Sequence, residues 1–327
     1  MNSKVANNKT DDRSKYFFKL LSSNMILFGF IILCFILGLL TNRFFTINNW
    51  RNIFVQSSTT GIVAVGMTFV IITGGIDLSV GSVLAFTAMI SAGMIRGNMN
   101  PILAIIFTLV FGLGIGLING LFISKLKMPP FIVTLAAMSI ARGLAMVYSG
   151  GRTIPIMNDT YNFMGQGYLF KIIPIPIIIM IIAFFIAGYI LKYTSFGRKT
   201  YAVGGNREAA KFSGIKIDNI EMIAYSITGL MSATAGIVLS GRLGASLPTS
   251  AEGLELDAIG AVVIGGASLS GGKGTIFGTF IGVLIMSVLN NGMNLLNVNP
   301  FYQQVFKGLI ILVAVLIDVL KNRYKNE

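Results

Sequence analysis

The strongest constraint on this chain is a series of long apolar runs separated by short polar segments. Runs such as Ile102–Ile123 and Ile172–Leu191 are as long as the roughly 20 residues that cross a bilayer core as a helix. Hydrophobic residues make up 54% of the chain and charged residues only 11%, whereas about a quarter of the residues of a soluble domain are charged. Lipid is therefore the expected solvent, and we predict an all-α integral membrane protein.

Apolar length, together with punctuation by glycine, proline and charge, predicts a polytopic helical bundle of about ten transmembrane segments. The segments lie near residues 24–41, 53–73, 80–95, 101–124, 130–149, 173–191, 221–241, 257–268, 275–297 and 301–320. An even number puts both termini on one side. Placing that side in the cytoplasm also places most Lys and Arg residues there, as the positive-inside rule requires. We therefore expect cytoplasmic tails at residues 1–23 and 321–327 around a transmembrane domain at 24–320.

Residue types that ordinary catalysis and metal binding need are scarce. The chain has no histidine, the commonest general base and metal ligand, and its one cysteine, Cys34, lies within an apolar run. We therefore predict no catalytic residues and no metal site, which leaves a membrane-embedded enzyme as a minor alternative. The formal net charge of +13 is spread over short segments between apolar runs, so we expect no nucleic-acid partner.

Two glycine-rich segments share the pattern GGxxLSxG, at Gly74–Gly81 and at Gly265–Gly272. Paired glycine-interrupted spans are typical of transporters built from internal repeats, so we predict an internal repeat. The second segment also resembles a phosphate-binding loop, but Ala267 and Gly274 occupy two positions where that motif needs a glycine and a hydroxyl residue. We therefore predict that this chain does not hydrolyse ATP and holds no cofactor of its own.

Asp77 is the ionisable residue of the first glycine-rich segment. A carboxylate in apolar sequence is costly to bury and is a functional candidate, for substrate contact or for gating. It is also a preferred helix cap, and a structural role as a cap or in an ion pair is the alternative that we favour. Arg142 and Lys307 also fall within predicted spans, where each could extend to an interface or pair with a carboxylate.

Uncharged polar residues interrupt several spans and could line a pathway for a polyhydroxylated solute. Amides and hydroxyls exchange hydrogen bonds with sugar hydroxyls, but they also join helices to one another in lipid. Both interpretations stay open at this point. Together with Asp77, the pathway candidates are Gln56, Ser57, Thr60, Asn119, Asn290, Asn291 and Asn294.

The predicted cytoplasmic loop at 192–220 contains the most informative pattern. Glu208-Ala209-Ala210-x-x-x-Gly214 predicts a short helix that ends at a glycine. This pattern resembles the EAA-x-x-x-G motif of the permeases of ATP-binding-cassette (ABC) importers, which carry there a coupling helix that docks on the ATPase subunit. The I-x-L-P extension of many such permeases is missing here, as it is in the branch that imports monosaccharides.

The resemblance to that branch extends over nearly the whole chain from about residue 42. The matching segments are Asn42–Asn49, Ala64–Thr68, Gly75–Ser82, Glu255–Ile259, Gly265–Leu269, Gly271–Gly274 and Leu289–Leu296. The likeness is greatest to the ribose permeases, while autoinducer, xylose, allose and galactose permeases share much of the pattern.

The resemblance implies a permease subunit of an ABC importer in the bacterial inner membrane, which forms the translocation pathway for a monosaccharide, with ribose the first candidate. The implied partners are a second copy of the permease, an ABC ATPase subunit that binds ATP and Mg, and an extracytoplasmic sugar-binding protein. The implied ATPase-coupling residues are Asn206, Glu208, Ala209, Ala210 and Gly214, and the docking candidates for the binding protein are Arg43, Arg51, Arg152 and Arg242. The alternative is a stand-alone secondary carrier or channel for a small polar solute, in which Asp77 and Arg142 would form a coupling site.

Overall fold

The structure, a computed structural model, describes residues 25–323, and this part of the chain is mostly helical. Its helices are α1 Met25–Leu40, α2 Ile47–Ile72, α3 Val80–Arg96, α4 Pro101–Ser124, α5 Pro130–Ser149, α6 Asp159–Gln166, α7 Ile175–Tyr193, α8 Ser195–Gly205, α9 Arg207–Phe212, α10 Ile217–Leu243, α11 Leu254–Ile264, α12 Ile276–Leu295 and α13 Pro300–Arg323. Its strands are β1 Ile154–Pro155, β2 Tyr168–Leu169, β3 Ile173–Pro174 and β4 Ala245–Ser246. Two antiparallel pairs form, with Ile154 of β1 opposite Ser246 of β4 and Leu169 of β2 opposite Ile173 of β3.

Local sequence signals explain where the long helices begin. The side chain of Asn100 accepts a first-turn amide of α4 at 2.9 Å, and that of Thr275 accepts one of α12 at 3.0 Å. Such acceptors satisfy amides that have no partner within the helix. Pro101 and Pro130 occupy the first positions of α4 and α5, where the missing amide proton costs nothing.

Each of the ten predicted membrane segments coincides with one helix. Seven of these helices are long and apolar enough to cross a membrane, namely α2, α4, α5, α7, α10, α12 and α13 up to Leu320, while α1 and α3 are apolar but shorter. α11 has only 11 residues. The prediction of a helical membrane protein is confirmed, and the number of crossings and the internal repeat stay predictions.

The predicted loops lie within the described residues, whereas the predicted tails lie partly or wholly outside them. The N-terminal tail at 1–23 lies outside the described residues. At the other end α13 continues to Arg323, into the tail predicted at 321–327, of which residues 324–327 lie outside the described part. The connection between α5 and α7 contains α6 and three short strands, and the predicted cytoplasmic loop at 192–220 contains α8 and α9.

α2 lies at the centre of the bundle, and the helices around it face outward. Along the most apolar stretch of α2, 83% of the residues are buried, compared with 0% along that of α13. Outer helices expose large apolar side chains, among them Phe35 of α1 and Phe185 of α7. Apolar residues on the outside are expected where lipid and not water surrounds the protein.

Small residues bring α4 and α10 into close contact. Gly112, Gly116 and Gly120 recur at every fourth position of α4, on the face that meets α10. A Cβ atom at Gly116 would overlap the carbonyl oxygen of Tyr225, and one at Gly120 would lie 2.8 Å from the Cα atom of Met222. This spacing of small residues lets two membrane helices approach closely enough for extensive backbone packing.

The bundle has two distinct ends. At one end, which we call the α9 end, the last residue of α2, Ile72, contacts the loop before α12, and Lys125 after α4 pairs with Asp218 at the start of α10. α8 and α9 lie at this end. The opposite end holds the start of α2, the end of α10 and the β1–β4 pair, as shown by the hydrogen bond from Arg242 of α10 to the Val55 carbonyl of α2.

Candidate functional site

The first candidate region is the connection between α2 and α3, residues 73–79, which we call the first break. α2 closes where the amides of Gly74 and Gly75 donate to the carbonyls of Ile71 and Val70, at 2.9 and 3.0 Å. Gly74 has a φ of +85°, a conformation that glycine adopts without steric cost. The chain therefore leaves α2 sharply, and Asp77 follows three residues later.

Asp77 is held by a short chain of polar groups. Its Oδ1 atom accepts the amide of Ser79 at 2.9 Å and the Ser79 hydroxyl at 2.6 Å, and Asn119 of α4 donates its side-chain amide to that hydroxyl at 3.1 Å. Asp77 is only 1% exposed and Asn119 only 3%. The network therefore joins the first break to α4 in a region that excludes solvent.

The predicted helix-capping role of Asp77 needs a correction. Ser79 is the cap residue of α3, and its side chain makes no bond to an amide of that helix. Asp77 instead bonds the amide of Ser79 itself, two residues along the chain, which is the geometry of an Asx turn. The amide that Asp77 accepts belongs to Ser79, one residue before α3 begins. The carboxylate therefore stabilises the turn that leads into α3 and does not cap the helix itself.

The two basic residues within predicted spans are engaged elsewhere. Arg142 of α5 donates through Nη1 to the carbonyls of Pro248 and Ser250, at 2.6 and 2.9 Å. Lys307 of α13 pairs with Asp257 of α11 at 3.0 Å, so one of the two predictions for Lys307 is confirmed. Arg142 ties α5 to the loop after β4, and its contacts give no support to a coupling site shared with Asp77.

The polar residues of α2 are divided between buried and accessible positions. Ser57 is 1% exposed, and its hydroxyl donates to the Phe54 carbonyl of the same helix at 2.9 Å. Gln56 is exposed and Thr60 is half-buried. Because Ser57 is satisfied within its helix, it is the weakest pathway candidate of the three, and the role of the other two stays a prediction.

The three candidate asparagines of α12 have different environments. Asn291 exchanges two side-chain hydrogen bonds with Asn49 of α2, at 2.8 and 3.0 Å, and so joins two helices. Asn294 is exposed and accepts a hydrogen bond from Gln303 at 2.9 Å. The buried side-chain oxygen of Asn290 has no hydrogen-bond partner among the described residues. Asn290 therefore keeps an acceptor that a solute hydroxyl or water would satisfy.

The predicted short helix of the 192–220 loop is present as α9. The side chain of Asn206 accepts the Ala209 amide at 2.9 Å before the helix, and Gly214 follows it with a φ of +76°. No atom lies within 4 Å of the place that a Cβ atom of Gly214 would occupy, so the conformation and not the space requires glycine there. The prediction of a short helix followed by a stop glycine is confirmed.

The two faces of α9 differ in what they meet. Glu208, Ala209 and Phe212 are exposed, and Phe212 is 90% exposed. Ala210 is 3% exposed and packs in an apolar cluster that includes Ile217 at the start of α10. Ala210 therefore contacts the interior of this chain, contrary to the expectation that both alanines meet a partner.

Sequence reasoning missed the ion pair that anchors α9. Arg207, its first residue, bonds both carboxyl oxygens of Glu221 in α10, and the Nη2 to Oε2 distance is 3.0 Å. Glu221 is only 5% exposed, whereas the Arg207 side chain is about half exposed, so a buried carboxylate meets a guanidinium that reaches water. The two residues are on different helices separated by Gly214, and no helical periodicity links them in the sequence.

A basic cleft of about 530 Å³ opens beside α9. Its ionisable lining residues are Lys125, Lys127, Arg207, Glu208, Lys211, Lys216 and Asp218. Asp218 pairs with Lys127 at 2.6 Å and with Lys125 at 3.4 Å, which joins the end of α4 to the start of α10. The excess of cations gives this cleft a positive potential that suits an acidic partner surface.

A second cavity, of about 420 Å³, lies between α3, α4 and α5 and is almost entirely apolar. Asn119 is the one polar residue in its lining, which otherwise consists of side chains such as Phe86 and Ile132. Sugar hydroxyls that enter an apolar space without partners lose their hydrogen bonds to water. This cavity is therefore a poor sugar site, and the Asn119 amide is already bonded to Ser79.

Three of the four candidate arginines for partner docking are free to meet a partner. Arg43, Arg51 and Arg152 are exposed and lie at the end of the bundle opposite α9. Arg242 is half-buried, and its guanidinium donates to the Val55 carbonyl at 3.2 Å. Arg242 is thus committed to a contact between α10 and α2, which makes it the weakest of the four candidates.

Comparison with known proteins gives consistent similarities over most of the chain. The model of the family described as branched-chain amino acid transport system / permease component matches residues 49–315. The ribose import permease protein RbsC of Bacillus subtilis is 50% identical over 296 residues, which cover 90% of this chain and 92% of that protein. RbsC of Escherichia coli K12 is 44% identical over 309 residues (93% and 96%), and the L-arabinose ABC transporter permease protein AraH of Azospirillum brasilense is 37% identical over 308 residues (94% and 91%). No solved structure gives a significant match.

Proposed function

This chain belongs to the family of branched-chain amino acid transport system permease components, and we propose that it is the permease subunit of an ABC importer for ribose. The observation that carries the proposal is the 50% identity to a ribose import permease over 90% of the chain. The relatives named for L-arabinose and xylose are less similar, at 37% and 34% identity.

In this proposal a separate ATPase subunit supplies the energy. The glycine-rich segment before Lys273 departs from the phosphate-loop pattern at two positions, so ATP and Mg would bind to the partner. α9 offers that partner an exposed face with Glu208, Ala209 and Phe212, and the basic cleft beside it offers charge for an acidic surface. A homodimer of the permease would present two such faces to two ATPase subunits.

Coupling then follows from how α9 is attached. ATP binding closes the ATPase pair and moves α9, and the bidentate pair of Arg207 with Glu221 carries that movement into α10. α10 packs closely on α4 through Gly112, Gly116 and Gly120, so α4 moves with it. Asn119 of α4 bonds Ser79 in the first break, and access to the pathway changes there.

The opposite end is assigned to the outside of the bacterial inner membrane, with both termini in the cytoplasm and about ten crossings. Exposed Arg43, Arg51 and Arg152 would there meet acidic residues of an extracytoplasmic sugar-binding protein. Exposed ion pairs contribute only about 0–1 kcal/mol each, so several must act together to orient the partner. The uncharged side chains of Gln56, Thr60 and Asn290 are the remaining candidates for contact with ribose.

Growth on ribose tests the proposal. A host without its own ribose permease receives this chain together with the ATPase and the binding protein, and growth with ribose as sole carbon source is expected. The substitution Glu208→Arg should abolish growth and reduce co-purification of the ATPase. Asp159→Arg, which reverses an exposed charge near the opposite end, is the matched control and should leave ATPase binding unchanged. Growth that needs no ATPase would instead support a secondary carrier.

A further inference from the structure

The α9 end contains a junction where three chain segments approach one another closely enough for direct contact between their backbones. The segments are the end of α2, the loop 265–275 before α12, which we call the second break, and the end of α8. The amide of Gly272 in the second break donates to the carbonyl of Ile72 at the end of α2, at 2.8 Å. This hydrogen bond links the helix that leads into the first break directly to the second break.

Gly204 of α8 lies against that hydrogen bond. A Cβ atom at Gly204 would overlap the Ile72 carbonyl oxygen and would lie 2.5 Å from the Gly272 amide nitrogen. Distances under 3.0 Å require a shift of the neighbour, and here both neighbours are backbone atoms that already bond each other. The end of α8 can therefore hold this position only with glycine at residue 204.

The second break approaches α8 in the same way. Gly271 and Gly272 have φ values of +84° and +71°. A Cβ atom at Gly271 would lie 2.8 Å from the Gly204 carbonyl oxygen and 3.1 Å from the Gly74 amide nitrogen, and one at Gly272 would lie 2.7 Å from the Gly205 Cα atom. Four glycines from two segments thus pack backbone against backbone beside the first residues of the first break.

A hydrogen bond from Tyr201 adds a second tie between α8 and the second break. Its hydroxyl donates to the Gly274 carbonyl at 2.8 Å, one turn before Gly204. Burial raises the pKa of the Tyr201 hydroxyl above its ordinary value, so the group is a stable neutral donor at physiological pH.

The junction is one residue away from α9. Only Asn206 separates Gly205, the last residue of α8, from Arg207, the first residue of α9. Long side chains at a contact can change rotamer and absorb a displacement, whereas close-packed backbone transmits it. A movement of α9 therefore reaches both breaks through this junction as well as through α10.

We propose that Gly204, Gly271 and Gly272 form a side-chain-free joint that passes movement of the ATPase-docking helix to the two breaks. They are positioning residues for transport, and the inference rests on the proposed function. The expected defect of a damaged joint is uncoupling: the ATPase still binds and hydrolyses ATP, but fewer ribose molecules cross for each ATP consumed.

The test measures ATP hydrolysed per ribose transported, with the complete complex in proteoliposomes. Gly204→Ala is compared with Gly205→Ala, because no atom lies within 4 Å of a Cβ at Gly205 and both changes fall at the end of the same helix. We expect Gly204→Ala to raise the ratio about 10-fold, within the usual range of coupling between sites, with ATPase co-purification unchanged. Gly205→Ala should stay at the wild-type ratio.

A second pair of variants covers the case in which Gly204→Ala does not fold. Tyr201→Phe removes one hydroxyl and keeps the aromatic ring, and it should raise the ratio by a smaller factor, about 3-fold. Tyr193→Phe, at a 61% exposed side chain at the end of α7, is its control. If Gly204→Ala folds and hydrolyses as much ATP per ribose as the wild type, the proposal of a joint is wrong. If only Tyr201→Phe folds, the same result in that variant contradicts the proposal. Loss of ribose transport in the wild-type complex would instead refute the proposed function.

Discussion

The first and second breaks share a sequence pattern, but they obtain their carboxylate from different places. Both preceding helices close alike: the amides of Gly74 and Gly75 bond α2 carbonyls, and those of Gly266 and Ala267 bond α11 carbonyls at 2.8 and 3.1 Å. In the first break the Ser79 amide donates to Asp77, which is part of the same loop.

In the second break the Ser270 amide donates to the Ser268 hydroxyl oxygen at 3.3 Å. Ser268 in turn donates to Asp318 of α13 at 3.0 Å, and the Leu269 amide bonds the same carboxylate oxygen at 3.2 Å. Serine thus stands in the second loop where aspartate stands in the first, and the charge comes from a distant helix.

The first break is thus stabilised by a carboxylate within its own loop, and the second break by a carboxylate of another helix. The first break carries its own buried acceptor and is enclosed by α4, α5 and α10, since Thr134 and Tyr225 both bond the Ile76 carbonyl at 3.4 Å. The second break depends on α13, whose most apolar stretch has no buried residue, and on Tyr201 of α8, which donates to the Gly274 carbonyl. We therefore infer that the first break moves as one unit with the helices that enclose it, whereas the second break responds to the parts around it.

The largest effect is expected for Asp77→Leu. This change removes the acceptor of the Ser79 amide and hydroxyl in a site with 1% exposure, and each unsatisfied buried group costs roughly 1–3 kcal/mol. We expect a clear loss of thermal stability in detergent together with loss of ribose uptake. Asp77→Asn keeps an acceptor oxygen and should retain folding and much of the transport. A well-folded Asn variant with no uptake at any pH would show that the charge itself is needed.

The next largest effect is expected for Ser79→Ala, in comparison with Ser270→Ala at the same position of the GGxxLSxG pattern. Ser79→Ala removes one bond to Asp77 and leaves the Asn119 amide without its acceptor, so we expect a destabilisation of about 2 kcal/mol. In Ser270→Ala the amide that bonds Ser268 is retained, and we expect a change below about 0.5 kcal/mol. Unfolding of both variants in mild denaturant, measured side by side, gives the comparison. Equal losses would mean that the two turns depend on their serines alike.

Of the two carboxylates, the smaller effect is expected for Asp318→Leu, the counterpart of Asp77→Leu. The carboxylate is half-buried, so water can replace part of what it gives Ser268 and Leu269, and we expect a loss of about 1 kcal/mol. Protection of the 265–275 amides from hydrogen exchange should fall, with little change at residues 73–79. A stability loss as large as that of Asp77→Leu would contradict the distinction between the two breaks.

Sequence predicted the helices well because lipid imposes both their length and their apolar character. The same holds for α9, whose cap at Asn206 and stop at Gly214 are local signals. Contacts between distant segments could not be predicted in this way, among them Arg207 with Glu221, Asn49 with Asn291, and Asp318 with the second break. These pairs depend on how helices stack, and their residues occupy unremarkable positions in the sequence. For the same reason the sequence could not show that Ala210 and Arg242, two docking candidates, contact other parts of this chain.

Uptake of labelled ribose into proteoliposomes tests the central claim most directly. The vesicles contain this chain with its ATPase subunit, the binding protein is added outside, and ATP or a non-hydrolysable analogue is enclosed. We predict ribose accumulation that needs ATP hydrolysis, the ATPase and the binding protein, and that does not respond to an imposed sodium or proton gradient. Accumulation driven by a gradient in vesicles that hold this chain alone would contradict the account.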